Sequence, residues 1–91
     1  MSVKLQIFYP ELQQLIKQPD NLAVEGKTVG ECLSDLVRRY PASEKLLFNK
    51  QGQLLKHVYV YVNSEGFNKA EFTQPVADKD QLIIAVLITG G

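Results

Sequence analysis

Residues 82–88 read LIIAVLI, seven apolar residues in a row, and this stretch decides the fold. Apolar and polar side chains do not alternate along it, so a strand built from it is apolar on both faces. Such strands lie inside a sheet, often beside a parallel neighbour. The run leads directly into Thr89-Gly90-Gly91. The sequence therefore predicts a central last strand over residues 82–88 and a flexible tail over residues 89–91.

Two other segments have the period of half-buried strands. Residues 3–8 alternate, with Val3, Leu5 and Ile7 on one face. Residues 57–63 read HVYVYVN and place valines on one face and tyrosines on the other. A short strand is expected over residues 21–25. Residues 10–20 contain leucines at helical spacing, but Pro10 and Pro19 enclose them, so a turn-rich loop is expected there.

The segment TVGECLSDLVRRYP, residues 28–41, has the clearest helical pattern. Thr28 and Glu31 form a capping-box pattern, in which the threonine hydroxyl accepts a hydrogen bond from the Glu31 amide. Pro41 ends the helix. Its apolar stripe is predicted to pack on the strands and consists of Val29, Cys32, Leu33, Leu36, Val37 and Tyr40. A further short turn of helix is expected over residues 43–48.

The predicted order is strand, strand, helix, strand, strand. One helix on one face of a small mixed sheet is the natural packing for these elements, which makes the protein α+β. The first and last strands are expected side by side in the centre of the sheet, because their connection across the helix is then right-handed. No linker or repeat divides residues 1–91, so we predict a single domain.

Composition excludes several classes of function. The chain has 91 residues with ten basic and ten acidic side chains, so no net charge attracts nucleic acid. No apolar run is long enough for a signal peptide or a membrane span. We expect a cytoplasmic protein with neither nucleic acid nor membrane as a partner. The lone Cys32 is expected in the core, and the lone His57 on the surface without metal-ligand spacing.

The segments TVGECLSDLVRRYP, VYVYVN, VADKDQLIIAV and TGG together resemble the ubiquitin-like sulfur carriers. This family includes the small subunit of molybdopterin synthase and the thiamine sulfur carrier. Residues 43–63 look most like the carriers of cysteine or homocysteine synthesis. The resemblance implies the ubiquitin-like β-grasp fold, with a mixed sheet of four to five strands and one main helix.

The resemblance also implies a chemistry for Gly91. A terminal carboxyl has a pKa of about 3.3–3.7, so at neutral pH it is a carboxylate and a poor electrophile. In the family, an E1-like enzyme adenylates it with ATP, and sulfide then converts it to a thiocarboxylate. The carrier is a co-substrate rather than an enzyme, and binds no cofactor itself. Its implied partners are the E1-like enzyme, a sulfur-accepting synthase or sulfhydrylase, and a metalloprotease that trims the tail or releases the product.

The composition of the tail suits this chemistry. An acyl-adenylate must be shielded from water, so the carboxylate has to enter a closed pocket. Residues 88–91 span roughly 13 Å when extended. Gly90 keeps this tail thin and free in φ. We therefore predict Thr89, Gly90 and Gly91 as the reactive tail.

A docking surface is predicted on the sheet face away from the helix, formed by Tyr59, Tyr61, Phe8 and Ile88. Exposed aromatic side chains on one sheet face are typical of binding surfaces. The alternative is that the loop of residues 65–79 folds over the tyrosines, because it contains Phe67 and Phe72.

Three other functions stay open. The chain could be the small subunit of molybdopterin synthase, with its tail held permanently by a larger subunit. It could be a ubiquitin-like modifier, with Gly91 forming amide bonds to lysines. A plain interaction domain is the third. The sequence favours none of the three over a sulfur carrier for amino-acid synthesis.

Overall fold

A computed structural model describes residues 2–16, 22–63 and 72–86. These residues form four strands and three helices. In order they are β1 (Ser2–Phe8), α1 (Pro10–Leu15), β2 (Ala23–Glu25), α2 (Val29–Arg39), α3 (Ser43–Leu47), β3 (Val58–Val62) and β4 (Gln81–Val86).

The strands form one mixed sheet in the order β2-β1-β4-β3. β4 pairs in parallel with β1 and antiparallel with β3, so it lies in the interior of the sheet as predicted. Leu82 and Ile84 are fully buried on the helix side, whereas Ile83 and Ala85 on the other side are partly exposed. The unalternating apolar run is therefore explained by this central position. Residues 87 and 88 of the predicted strand lie outside the described residues.

The main helix, α2, begins and ends where the sequence predicts. The Glu31 amide donates to Thr28 Oγ1 at 3.2 Å, and Glu31 Oε1 accepts from the Lys27 amide at 3.2 Å. The last helical bond runs from the Tyr40 amide to the Leu36 carbonyl, directly before Pro41. The residues that α2 buries in the core are Val29, Cys32, Leu33 and Leu36.

Val37 differs from the other members of the predicted helix stripe. Val37 and Tyr40 are both only partly buried, but Tyr40 packs against the core, whereas Val37 lines a surface groove. The apolar stripe is therefore narrower than the spacing alone suggested. Both Leu36 and its neighbour Leu33 are essentially inaccessible, which places the centre of the stripe over the sheet.

The expectation of a loop after β1 is wrong for residues 10–15, which form the helix α1. Pro10 occupies the first helical turn, where its missing N–H has no intrahelical acceptor to lose. The Gln13 amide donates to the Tyr9 carbonyl at 2.9 Å, and Leu12 is fully buried. Pro10 therefore starts a helix instead of preventing one. α3 confirms the predicted short helix of residues 43–48.

Hydrogen bonds hold together the two ends of the long connection between β3 and β4. Asn63 has φ of +60°, its amide donates to the Gln81 carbonyl at 2.7 Å, and its side-chain oxygen accepts from the Gln81 amide at 3.0 Å. Asn63 Nδ2 also donates to Asp80 Oδ1 at 3.2 Å. Asparagine tolerates this left-handed conformation better than most residues. Residues 64–71, which follow Asn63, lie outside the described residues.

Replacing Leu36 by alanine should destabilise the fold by about 2–5 kcal/mol, the range for truncating a large buried side chain. Leu36 is fully inaccessible at the centre of α2. The free energy of unfolding, measured with urea, checks this value. Ser34→Ala is the matched control, because Ser34 is exposed on the same helix and should change stability by no more than about 0.5 kcal/mol. Equal midpoints for both variants would show that the buried face of α2 is misassigned.

Candidate functional site

The sheet face away from α2 carries the candidate docking residues. The strand registers align Phe8 with Ala85 and Ala85 with Tyr59 in one row across the sheet. The next row aligns Gln6, Ile83 and Tyr61. We define the docking face as the apolar and aromatic members of these two rows, which are Phe8, Tyr59, Tyr61, Ile83 and Ala85.

Among the side chains of the docking face, Phe8 is exposed and the other four are partly buried. Phe8 is 53% exposed. Tyr59 and Tyr61 project to the same side and stack, with ring centroids 6.4 Å apart and an interplanar angle of 8°. Val58 and Val60, which alternate with the two tyrosines along β3, are fully buried on the helix side. The predicted separation of valines from tyrosines along this strand is therefore confirmed.

One end of the docking face is apolar and the other is polar. At the polar end Lys4 is paired with Gln81, and Gln81 Nε2 donates to Gln6 Oε1 at 2.7 Å. At the apolar end Phe8 lies beside Ala85, one residue before β4 ends at Val86. The apolar end is therefore adjacent to the point from which the chain continues toward Gly91.

The described part of the long loop does not cover the docking face. The Phe72 carbonyl accepts from the Gly30 amide at 2.9 Å, and the Gln74 carbonyl accepts from the Val29 amide at 3.0 Å. The Phe72 ring packs on Phe48, with centroids 5.9 Å apart. Residues 72–74 therefore satisfy the first amides of α2 on the helix side of the molecule. Phe67 lies outside the described residues.

The tail predicted to carry the chemistry, Thr89, Gly90 and Gly91, lies outside the described residues, as does the docking candidate Ile88. Their roles stay predictions. Sequence analysis did not single out Ile83 and Ala85, although both belong to the docking face. The missing alternation in residues 82–88 concealed which residues of the last strand face outward. The register with β1 and β3 supplies that information.

Cys32 lies in the core, as predicted. It is fully inaccessible. Burial raises the pKa of its thiol, and the nearby carboxylates of Glu31 and Asp35 raise it further. Since the thiolate is the reactive form, this thiol is a poor nucleophile at neutral pH.

Replacing Cys32 by alanine should leave sulfur loading of the chain unchanged and lower the free energy of unfolding by about 0.5–3 kcal/mol, the usual range for a small loss of packing. Intact-protein mass spectrometry measures the loading, and urea titration measures the stability. A folded Cys32→Ala chain that no longer accepts sulfur would contradict the core assignment and indicate a persulfide relay.

His57 is exposed at the start of β3, as predicted, with its ring edge-on to Tyr9 at 6.4 Å. Within residues 2–16, 22–63 and 72–86, no group of three or more His, Cys, Asp or Glu side chains is arranged to hold a metal ion. None of the helices in these ranges is long and apolar enough to cross a membrane.

Asp35 is a buried carboxylate that joins α2 to β2. Asp35 Oδ2 accepts from the Glu25 amide at 3.0 Å and pairs with Arg39 at 3.1 Å, and Oδ1 pairs with Arg38. Burial acts to raise the pKa of this carboxyl, but the hydrogen bond from Glu25 and the two guanidinium groups outweigh it and lower the pKa. Sequence analysis did not identify Asp35, because it lies outside the predicted apolar stripe of α2.

Stability should fall in acid because of Asp35 and Asp80. Hydrogen bonds from the Ala77 amide and the Asn63 side chain lower the pKa of Asp80. A carboxyl whose pKa is lower in the folded state stabilises the protein fully above its unfolded pKa of about 3.9. That contribution is lost as the pH falls through the folded pKa. Urea midpoints measured from pH 7 down to pH 3 should therefore decline.

Asp35→Asn isolates the contribution of Asp35, because asparagine keeps the shape and cannot ionise. The wild type should exceed the variant in stability at pH 7, and the two should converge as the pH falls below about 4. A constant difference between them across this range would rule out the charge of Asp35 as the cause.

No family model matches the chain, and a search of curated proteins found no match. Solved structures match over nearly the whole length. Small archaeal modifier protein 1, SAMP1, from Haloferax volcanii is 28% identical, with 100% of each chain covered and a TM-score of 0.82. A chain of the Amycolatopsis orientalis BexX/CysO complex is 26% identical, covering 96% of this chain and 99% of that one, with a TM-score of 0.74.

A third structure, CysO from Mycobacterium tuberculosis, is 24% identical, with a TM-score of 0.74 over 93% of this chain and 100% of that chain, and supports the fold. These structures are ubiquitin-like sulfur carriers and modifiers. They confirm the predicted β-grasp fold and the resemblance that the sequence indicated. All are small carrier or modifier proteins rather than enzymes.

Proposed function

We propose, starting from the fit of this chain to the ubiquitin-like sulfur carrier family, that the protein carries sulfur as a thiocarboxylate on Gly91. The observation that supports this most is the match over nearly the whole chain to structures of ubiquitin-like sulfur carriers, among them a chain of the BexX/CysO complex. In the sequence, Gly90 and Gly91 follow β4 after three further residues. The chain is then a co-substrate of partner enzymes, and it performs no catalysis itself.

The chain's own contribution to the reaction is recognition and reach. An activating enzyme would bind the docking face, whose apolar end at Phe8 and Ala85 adjoins the end of β4. The five residues after Val86 span at most about 18 Å, since one extended residue spans ~3.6 Å. If the enzyme binds the docking face within this reach of its own pocket, the Gly91 carboxylate can enter that pocket. The pocket must exclude water, because the adenylate is readily hydrolysed.

The group transfer proceeds in two balanced steps. A carboxylate oxygen of Gly91 attacks the α-phosphorus of ATP, and pyrophosphate leaves. A sulfide sulfur then attacks the activated carbonyl carbon, and AMP leaves with the former carboxylate oxygen. The product thiocarboxylate bears its charge mainly on sulfur, which makes it the nucleophile toward the final acceptor.

For the final acceptor we propose cysteine or homocysteine synthesis. The similarity to CysO chains at 26% identity supports this choice over the other acceptors. The BexX/CysO complex indicates that a protein of this fold forms a complex with a second protein. By analogy, a sulfur-accepting synthase or sulfhydrylase would bind this chain, with an E1-like enzyme and a metalloprotease as further partners. We propose that these reactions take place in the cytoplasm.

The second candidate function is a ubiquitin-like modifier. The similarity to a small archaeal modifier protein at 28% identity favours it specifically. In this case the activated Gly91 carbonyl would be attacked by a lysine amine rather than by sulfide, and an isopeptide bond would form. The small subunit of molybdopterin synthase is the third candidate, and stable co-purification with a larger subunit would identify it.

Two measurements on the same material distinguish carrier from modifier. The chain is incubated with its activating enzyme, ATP and sulfide, and its intact mass is measured. A carrier replaces one oxygen by sulfur. The chain is also expressed with an affinity tag at its N-terminus and examined on denaturing gels. A modifier gives a ladder of conjugates that resists thiol reagents, and a carrier gives none. Conjugates without any thiocarboxylate would overturn the proposal.

A further inference from the structure

A surface groove of about 770 Å³ lies on the helix side of the molecule, opposite the docking face. α2 and α3 form its walls together with the segment at Phe72. Its apolar lining consists of Val37, Phe48 and Phe72. We call it the helix-side groove. Neither the tail chemistry nor the docking face uses it.

The helix-side groove exposes aromatic surface. Phe72 is 37% exposed, and its ring packs at 59° against that of Phe48. Among the described residues, the exposed large hydrophobic side chains are Phe8 and Phe72. Phe8 belongs to the docking face, so each of the two sides of the molecule presents one of them. Exposed aromatic side chains at the base of a concavity are typical anchors for a partner side chain.

The border of the groove is strongly acidic. Four carboxylates and one guanidinium line it, which gives a net formal charge of three negative. The guanidinium, Arg38, is already paired with Asp35. Glu25, Glu31 and Glu44 form no ion pair with any other described residue. Since the whole chain is neutral, this negative potential is a local property of the groove.

We propose that the helix-side groove binds a basic amphipathic segment of a partner protein, whose apolar side chains contact Phe48 and Phe72 while its lysines or arginines face Glu25, Glu31 and Glu44. Charge complementarity requires a positively charged partner segment. Electrostatic potentials of opposite sign steer two surfaces together, and the negative groove repels negatively charged competitors. An apolar base with charges along its border is the arrangement that receives the apolar face of an amphipathic helix.

The position of the groove gives this interaction a separate role. The docking face and the helix-side groove lie on opposite layers, the sheet and the helices. A partner in the groove therefore leaves the sheet face and the end of β4 accessible. The proposal goes beyond sulfur transfer and does not depend on it, because it concerns residues of α2, of α3 and of the segment at Phe72.

The proposal is tested with two capped helical peptides of about twelve residues, roughly three turns. One contains leucine and lysine, and in the other every lysine is replaced by glutamate. Each is titrated into the ¹⁵N-labelled full chain, and amide shifts are followed by NMR. We expect the lysine peptide to shift the amides of Gly30, Ser34, Val37 and Phe72, with binding that weakens as salt is added. The glutamate peptide should leave them unchanged.

Charge reversal in the groove checks the sign. Glu44→Lys should weaken binding of the lysine peptide about tenfold, because an attraction becomes a repulsion across the groove. Glu11→Lys is the matched control, since Glu11 is likewise exposed in the first turn of a helix but does not line the groove. It should bind as the wild type does. Phe72→Ser should weaken binding while retaining its salt dependence.

Several results would overturn the proposal. One is a lysine peptide that shifts only the docking face or shifts nothing. Another is equal binding of both peptides, which would make the groove a purely apolar site. The third is a set of nuclear Overhauser contacts in the free protein between the Phe48 ring and Phe67, which would show that the chain fills the groove with its own residues.

Discussion

Deleting Gly91 should abolish thiocarboxylation while leaving the melting temperature unchanged. The shortened chain ends at Gly90, about 3.3–3.6 Å from the position that the activating enzyme requires. A misplacement of about 1 Å can already cost a hundredfold in an aligned reaction. The core is unaffected, because the buried residues of β4 are Leu82 and Ile84, well before the tail. Intact-protein mass spectrometry after incubation with activating enzyme, ATP and sulfide measures the loading.

The controls for this deletion keep the length of the tail, change its bulk or lengthen it by one residue. Thr89→Ser preserves both length and backbone freedom and should load fully. Gly90→Val should load poorly, because a branched side chain widens the tail and restricts φ. An alanine appended after Gly91 should block loading, since the terminal carboxylate is displaced in the opposite direction. A sulfur-loaded product from the chain that lacks Gly91 would disprove the carrier proposal as stated.

Replacing Phe8 by aspartate should lower kcat/KM for adenylation of the chain about 30-fold. This is the effect of losing roughly 2 kcal/mol at an aromatic hot spot. Phe8 is 53% exposed at the apolar end of the docking face, beside Ala85. An aspartate there would bring an unpaired charge into the interface. The loss should appear mainly in KM, because the residue takes part in binding and not in the reaction.

The expected reduction in kcat/KM for Phe8→Asp is checked by measuring pyrophosphate release by the activating enzyme over a range of carrier concentrations. Gln51→Asp is the matched control. It introduces the same charge at an exposed position in the connection between α3 and β3, and its kinetics should equal those of the wild type. Urea titration should show that both variants remain folded, with Gln51→Asp within about 0.5 kcal/mol of the wild type, as for surface substitutions in general. Unchanged kinetics for Phe8→Asp would exclude this face as the enzyme's binding surface.

Local patterns in the sequence were sufficient to predict the main elements of the fold. The helical period of residues 28–41 predicted α2. The predicted capping hydrogen bond from the Glu31 amide to Thr28 Oγ1 is present at 3.2 Å. The unbroken apolar run at residues 82–88 predicted a central strand, because only an interior strand buries both faces. Together with the segment of α2, the strand of residues 58–63 and the terminal TGG, the same run indicated the carrier family, and the matching structures confirm that resemblance.

Local sequence patterns gave a wrong prediction where one residue type can either break a helix or start one. Proline breaks a helix in its interior but is favoured at its start, so Pro10 alone did not distinguish a loop from α1. Burial of Leu12 and the bond from Gln13 to Tyr9 decided in favour of the helix. Val37 has helical spacing but is only partly buried, since it lines the helix-side groove instead of packing in the core.

The sequence by itself determined the main helix, the strands and the central position of the last strand, because these depend on the period and length of apolar runs. Only the tertiary structure decided which side chains share a surface. The register placed Ile83 and Ala85 beside Phe8, Tyr59 and Tyr61 in the docking face. The packing of Phe72 on Phe48 formed the helix-side groove from residues far apart in the chain. These contacts depend on strand pairing and side-chain packing between segments that are distant in sequence. A local sequence pattern therefore does not predict them.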